Sequence, residues 1–304
     1  MSSPPKQTSI SLYAWVLMLI LALVWGASFL SNRAALAEVG VLTTVAFRVT
    51  GAAVTLWAYI FARGLPVPKG SRWLATCLIL GIFNNVVPFS LIVWGQTHIA
   101  SGLAGILNAT TAIFSVLLAA LAFPDERLTL PKLAGVTLGL AGVVVTIGPA
   151  ALANLDLTSL GQLAILAAAL SYAFAAIHGR RALQGIRPEV GAAGMLTVSS
   201  AIMIPAALIF DDPPTFHYAA QTWAALGYLA FIASAFAYIL FYRVLQVAGA
   251  GNLGLVTLLI APVAVVLGAV VYHEALPATA FLGLLLLALG MLIIDGCLIR
   301  RFSA

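Results

Sequence analysis

The stretch SGLAGILNATTAIFSVLLAALAFPDERLTLPKLAGVTLGLAGVVVT, residues 101–146, returns in diverged form as GAGNLGLVTLLIAPVAVVLGAVVYHEALPATAFLGLLLLALGMLII at residues 249–294. The offset is 148 residues and needs no gap: Glu126 falls on Glu274, Leu128 on Leu276, Gly135 on Gly283 and Gly142 on Gly290. Carried back to the N-terminus, the same shift lays five apolar spans over five apolar spans. Each unit then holds an odd number of membrane crossings, so the second copy must enter the bilayer in the opposite orientation. An inverted-topology duplication is the arrangement of secondary transporters, which hold substrate where the two halves meet.

Composition agrees. Of 304 residues, 63% are hydrophobic and 8% charged, and the mean hydropathy is +1.12. Soluble domains carry roughly a quarter charged residues, so this is an integral membrane chain. The formal charge of +5 does not mark a nucleic-acid binder, because the cations sit in short loops and form no basic stripe with interleaved aromatics. Cys77 and Cys297 both lie in apolar spans; they are too few for a disulfide framework and lack metal-ligand spacing. Neither a metal nor a cofactor is expected.

A helix needs roughly 17–25 apolar residues to cross a bilayer. Ten runs meet that need, at about 12–31, 41–62, 73–96, 100–123, 132–148, 159–178, 190–210, 223–242, 252–272 and 278–299. They are continuous rather than alternating with period two, which excludes a barrel. Lys6, the run Leu12–Leu30 and Ala35-Leu36-Ala37 imitate a signal peptide. The run exceeds the roughly 7–15 residues of a signal core, and it has an internal counterpart at Leu160–His178, so it reads as a retained first helix.

The cations set the direction. With the N-terminus in the cytoplasm, the inner side holds Lys6, Arg63, Lys69, Arg72, Arg127, Lys132, Arg180, Arg181, Arg187, Arg243, Arg300 and Arg301, while the outer side holds Arg33. That bias obeys the positive-inside rule and places both termini in the cytoplasm. The expected organisation is a tail at 1–11, a first repeat at 12–148, an outer connection at 149–158, a second repeat at 159–299 and a tail at 300–304.

The repeats carry a recognisable pattern: Ala261-Pro262-Val263 through His273-Glu274-Ala275-Leu276 to Gly283 and Gly290, and Asp125-Glu126-Arg127-Leu128 to Gly135 and Gly142, with Trp25-Gly26-Ala27-Ser28-Phe29 opening the chain. Over essentially its whole length the chain resembles the EamA-type branch of the drug/metabolite transporter superfamily. Within that branch it is similar to the YddG group of bacterial amino-acid exporters. The resemblance implies an all-α, ten-helix exporter of the bacterial inner membrane, its central cavity surrounded mainly by helices 1, 3, 4, 6, 8 and 9. In one departure, Phe114 stands where the family has a proline in the fourth helix.

Phe83, Ser90 and Trp94 share a helical face by spacing, as do their counterparts at the same offset, Phe231, Tyr238 and Tyr242. Two equivalent helices would so present aromatic and hydroxyl groups to the central axis. Membrane-interface anchoring is the rival reading for Trp94 and Tyr242, which lie near span ends. Asn108, Thr111 and Ser115 share a face of the fourth span, with Asn84, Ser171, Tyr172, Trp25 and Ser28 as further candidates for contact with substrate. Polar groups at these depths should face protein or a wet cavity. Pro88, Pro205 and Pro262 would kink their helices and free carbonyls. Arg48 is the sole charge well inside a span; a functional role, snorkelling to the interface and capping of carbonyls all fit it. Glu126 and Glu274 end helices, where negative charge needs a partner, and hydrogen bonds to the next helix start are expected of them, with gating as the alternative.

These readings converge on a non-enzymatic, alternating-access exporter of amino acids, aromatic and other neutral ones, and of related small compounds. It is expected as a monomer in the lipid bilayer. The absence of Asp or Glu near any span centre argues for facilitated diffusion rather than proton coupling. A proton-coupled efflux carrier of drugs or other metabolites is the alternative. An intramembrane enzyme would need a nucleophile with its base, a carboxylate pair or a metal cluster within the spans, and none is visible. A channel would need rings of like groups, which are also missing.

Overall fold

The computed structural model describes residues 10–99, 101–147, 159–215, 217–272 and 278–295. Glu274, Cys297, the connection at 149–158 and the C-terminal tail lie outside these residues. Within them all regular structure is helical. The rods are α1 (Leu12–Ala35), α2 (Val41–Ala62), α3 (Ser71–Gln96), α4 (Ser101–Ala109, then Thr111–Ala122) and α5 (Leu130–Ile147). After them come α6 (Leu160–Ala182), α7 (Pro188–Phe210), α8 (Ala220–Ala248), α9 (Ala250–Gly254, then Val256–Tyr272) and α10 (Ala278–Asp295). Among the described residues seven helices are long and apolar enough to cross a membrane, and shorter apolar stretches lie at Leu130–Val145, Ala250–Ile260 and Phe281–Ile294. Leu121 is 85% exposed and Phe61 74%. Such side chains on the outside of the bundle suit a lipid solvent, where apolar surface carries no penalty.

Contacts between helix termini sort the bundle into two ends. One, the Glu126 end, is where α1 starts; at the other, the Asp211 end, α2 starts. Carboxylates stitch the ends, each on the start of a helix from the other half of the chain. Asp211 accepts from the Thr43 N–H at 2.7 Å, at the start of α2. Glu38 accepts from the Ala219 N–H at 3.0 Å and from the Thr222 hydroxyl, at the start of α8. Those bonds hold the Glu38 carboxyl below the usual carboxylate range, the Thr222 hydroxyl contributing most. Glu126 accepts from the Ala250 and Gly251 N–H groups at 2.8 and 2.7 Å, at the start of α9. Helix starts expose unpaired N–H groups and a positive dipole end, which explains the choice of anions.

The glycines of the repeat motif bring helices together. A Cβ on Gly135 would lie 2.6 Å from the Gly290 carbonyl oxygen, and one on Gly142 would lie 2.7 Å from that of Gly283. Since 135 meets 290 while 142 meets 283, α5 and α10 run antiparallel, backbone against backbone. Close approach of this kind holds membrane helices by dispersion where no hydrophobic drive exists. Gly26 of α1 likewise lets α9 approach, its Cβ position being 2.5 Å from Val263 Cγ1, next to Pro262 inside that helix.

Two local departures from α geometry shape the interior. In α3 the segment Ile82–Val86 is π-helical, and in α8 the segment Tyr228–Phe236 is. Shifted by 148 residues, the first falls within the second. In α3 the wide turn precedes Pro88, which has no N–H to continue an α ladder. The second departure is in α4, which breaks at Thr110 although Phe114 replaces the family proline. Thr110 and Thr111 turn their hydroxyls back onto the carbonyls of Leu107 and Asn108, at 2.5 and 2.7 Å. Back-bonding of this sort competes with the helical ladder and bends it.

Candidate functional site

A cavity lies among α1, α2, α3, α4, α6, α8 and α9, its lining running from Asn32 and Arg48 on the Asp211 side to Leu253 and Gly254 at the start of α9. Its space for water-sized occupants is about 70 Å³, enough for several waters. Trp25, Phe29, Phe89, Tyr172 and Phe241 give it aromatic walls, and Ser28, Asn32, Arg48, Asn108, Thr111, Ser115 and Thr257 give it polar ones. The Trp25 ring lies 5.8 Å from that of Phe241, and Phe89 meets Tyr172 edge-on at 6.4 Å. Among the described residues no Asp or Glu lies on this wall. Both Asn32 Oδ1 and Asn108 Oδ1 are buried and have no hydrogen-bond partner among the described residues.

Arg48 brings the cavity its charge. It lies eight residues into α2, about 10 Å from the helix start at 1.5 Å per residue. Its Nε donates to Ser234 Oγ at 2.8 Å, Nη2 donates to the Ala233 carbonyl at 3.2 Å, and the guanidinium lies 3.8 Å from the centre of the Phe89 ring. Only 5% of the residue is exposed, so the side chain turns inward rather than snorkelling to an interface.

The π-helical turns explain where the other polar groups went. A widened turn leaves carbonyls without their usual ladder partner, and in a membrane each such carbonyl must find a donor. In α8 the Ala233 carbonyl takes Trp25 Nε1 at 3.0 Å as well as Arg48. In α3 the Phe83 carbonyl takes the Ser171 hydroxyl at 2.7 Å, and the Asn84 carbonyl takes the Tyr238 hydroxyl at 3.1 Å. Tyr238 also bonds Asn85 Oδ1, and Asn85 Nδ2 donates to Ser199 Oγ at 3.0 Å. The carbonyls that Pro88 was expected to free for substrate are thus met by protein.

Of the residues read from the sequence as contacts for substrate, the cavity gathers Trp25, Ser28, Asn108, Thr111 and Tyr172, together with Arg48. The others lie elsewhere. Phe83 and Phe231 are 38% and 53% exposed on the outside of the bundle, Phe83 packing on Phe174 at 5.0 Å. Asn84 donates to Met195 Sδ at 3.6 Å, Ser90 to Met203 Sδ at 3.8 Å and Tyr242 to Met195 Sδ at 2.9 Å, all of them turned toward α7. Trp94 packs on His98 at 4.2 Å near the Asp211 end. Ser171 and Tyr238 serve the α3 turn. The face-sharing of 83, 90 and 94, and of 231, 238 and 242, assumed an unbroken 3.6-residue period. The π-helical turns interrupt it in both helices, so residues on either side no longer share a face. Sequence reasoning missed Asn32, Phe29, Phe89, Phe241 and Thr257. Asn32 was visible as an amide one turn from Ser28; the apolar rings carried no distinguishing signal.

The Glu126 end is drawn together around that carboxylate. Arg180 at the end of α6 pairs with both Asp125 and Glu126, and Arg181 Nη2 donates to the Ala122 carbonyl at 2.8 Å. Gly249, at φ +84°, and Gly251 leave room for the Glu126 carboxylate that a Cβ would take. The partner expected for Glu126 was the next helix start; it is instead the start of α9, in the other half of the chain. A broader recess of about 880 Å³ opens at this end beside Arg187, Tyr242 and Arg243.

The comparisons match this architecture. "Protein PagO" of Salmonella typhimurium is 24% identical over 91% of this chain and 90% of its own length. The "Uncharacterized transporter YoaV" of Bacillus subtilis is 22% identical over 88% and 92%. A "Probable terminal-alkyne amino-acid exporter" of Streptantibioticus cattleyicolor is 32% identical over 43% of each chain. A solved crystal structure superposes with a TM-score of 0.80, covering 96% of this chain and 99% of its own at 21% identity, which establishes a shared fold. The model of the EamA-like transporter family matches twice, at residues 12–148 and 159–295. With two copies of that repeat spanning nearly its whole length, the chain is a multi-span membrane protein and belongs to the EamA-like transporter family.

Proposed function

We propose that the protein exports amino acids, neutral and aromatic ones foremost, across a bacterial inner membrane by alternating access. The observation that carries this reading is the cavity itself. Aromatic rings from α1, α3, α6 and α8 would take an apolar side chain by stacking and dispersion, while Asn108, Thr111 and Arg48 offer polar partners for the amino-acid backbone. The relative described as an amino-acid exporter supports the substrate class, and a family of transporters points away from an enzyme.

In this reading the ten helices are ten crossings and the two family repeats are inverted copies. The antiparallel packing of α5 on α10, and the placing of equivalent π-helical turns in α3 and α8, support that relation. The excess of Lys and Arg at the Glu126 end makes that end cytoplasmic. The carboxylate cluster around Glu126 then lies on the cytoplasmic side, beside the broader recess. At about 70 Å³ the cavity must widen to admit an amino acid, and rocking of the two halves supplies the room.

Saturable counterflow of labelled amino acids in proteoliposomes tests the proposal. Exchange of neutral amino acids is expected, and its absence across all twenty overturns the substrate assignment. Downhill transport is expected, because among the described residues no carboxylate lines the cavity to carry a proton. Uptake driven by an imposed pH gradient alone would refute that second point.

A further inference from the structure

We infer that Arg48 is the anchor for the substrate's carboxylate and that Asn108 Oδ1 receives its ammonium, so the carrier selects compounds with a free α-amino acid head group. This rests on the amino-acid reading above and specifies which part of the substrate the cavity recognises.

Arg48 is buried, lines the cavity, and has no carboxylate beside it on that wall. A buried cation without a counter-charge is expensive, and its cost falls when an anion arrives. The protein meets only part of the guanidinium. Nε and Nη2 are held by Ser234 and Ala233 and one face by Phe89, whereas Nη1 makes no hydrogen bond among the described residues. These contacts fix the fork in place, and a guanidinium held in a fixed plane is suited to a carboxylate.

The complementary half of the site is an acceptor. Asn108 is 4% exposed, lies on the same cavity wall, and its Oδ1 has no partner among the described residues. An orphaned buried acceptor costs about 1–3 kcal/mol, and an ammonium donor would satisfy it. The bend of α4 at Thr110, made by hydroxyl back-bonding beside Asn108, holds this residue where the helix ladder is interrupted. A donor fork and an unmet acceptor facing one small aromatic chamber are the inverse image of an amino-acid zwitterion. A carrier for uncharged or cationic drugs would gain nothing from the Arg48 charge.

The test is competition for counterflow in proteoliposomes holding the full chain, using L-phenylalanine, L-phenylalaninamide, phenethylamine and 3-phenylpropionate. Wild-type protein is expected to favour phenylalanine over the amide and the amine by about 10- to 100-fold, the range of a charge-assisted hydrogen bond. Arg48→Gln should bring acid and amide within about twofold of each other, and Arg48→Lys should keep part of the preference. Asn108→Leu should remove the preference for phenylalanine over 3-phenylpropionate.

Wild-type protein that exchanges the amide as readily as the acid overturns the inference, whatever the variants do. So does a folded Arg48→Gln with its acid preference intact. Should Arg48→Gln fail to fold, the wild-type comparison and Asn108→Leu still decide. Amino-acid exchange without discrimination refutes the anchor alone, whereas no amino-acid exchange at all refutes the proposed function with it.

Discussion

Helices α3 and α8 occupy equivalent places in the two repeats, and each widens into a π-helical turn at the same point. What differs is who satisfies the carbonyls. In α3 they are met by the neutral hydroxyls of Ser171 and Tyr238, with Asn85 and Ser199 completing a dry network. In α8 the one Ala233 carbonyl is met by both Trp25 and Arg48, which also line the cavity. One duplicated backbone irregularity has become packing on one side and a charged wall on the other. A duplication thus supplies a pair of equivalent wide turns whose carbonyls can be met in different ways. The lack of symmetry between the two is what gives the described wall of the chamber the Arg48 charge.

Substitutions that remove one donor from each turn would sharpen this contrast. Trp25→Phe keeps a ring but deletes the N–H that meets Ala233; counterflow of aromatic amino acids should fall about tenfold, the cost of one buried hydrogen bond at the wall. Tyr238→Phe deletes the matching donor to Asn84 from the dry network. Its effect should appear in detergent thermal unfolding as about 1 kcal/mol of lost stability, with counterflow close to wild type. Counterflow falling equally in both variants would break the comparison. Ser171→Ala should cost about 0.6 kcal/mol, the usual worth of an interhelical side-chain bond in a membrane, again without a change in substrate preference.

The smallest effect belongs to Glu38, whose cap on α8 is exposed at the Asp211 end. Its carboxyl titrates below the ordinary value of 4.5 in the folded protein. A depressed folded value means the cap is fully present above that ordinary value and fades as pH falls through the lower one. Unfolding followed from pH 6 to pH 3 should show a small acid loss in wild type that Glu38→Gln lacks. Identical pH profiles would show that the cap does not contribute.

Much of the architecture was legible in the chain. Continuous apolar runs located the rods because a bilayer demands about 20 apolar residues per helix, and the glycines at 135 and 142, aligned with 283 and 290 across the repeats, are the ones that pack α5 on α10. The site was legible only in part. Asn108, Thr111 and Ser115 kept a common face on the cavity because α4 bends beside them without losing their register. Phe83 and Phe231 did not, because a helical wheel drawn at 3.6 residues per turn misses the wide turns that rotate them outward. Glu126 needed a helix start as its partner, as its helix-end position required, but spacing alone could not say that α9 of the other half would supply it.

The sequence by itself determined that this chain lives in lipid, is built twice over from one helical unit, and carries almost no charge at depth. Those properties follow from composition and periodicity, which need no neighbours to be read. Only the tertiary structure decided which polar groups face the chamber and which are used up in satisfying the backbone. In a bilayer every carbonyl left by a wide turn must find a donor, and which side chains that need consumes depends on helices far apart in the chain: Trp25 and Arg48 reach Ala233 across about 200 residues of sequence, and Ser171 reaches Phe83 across 88.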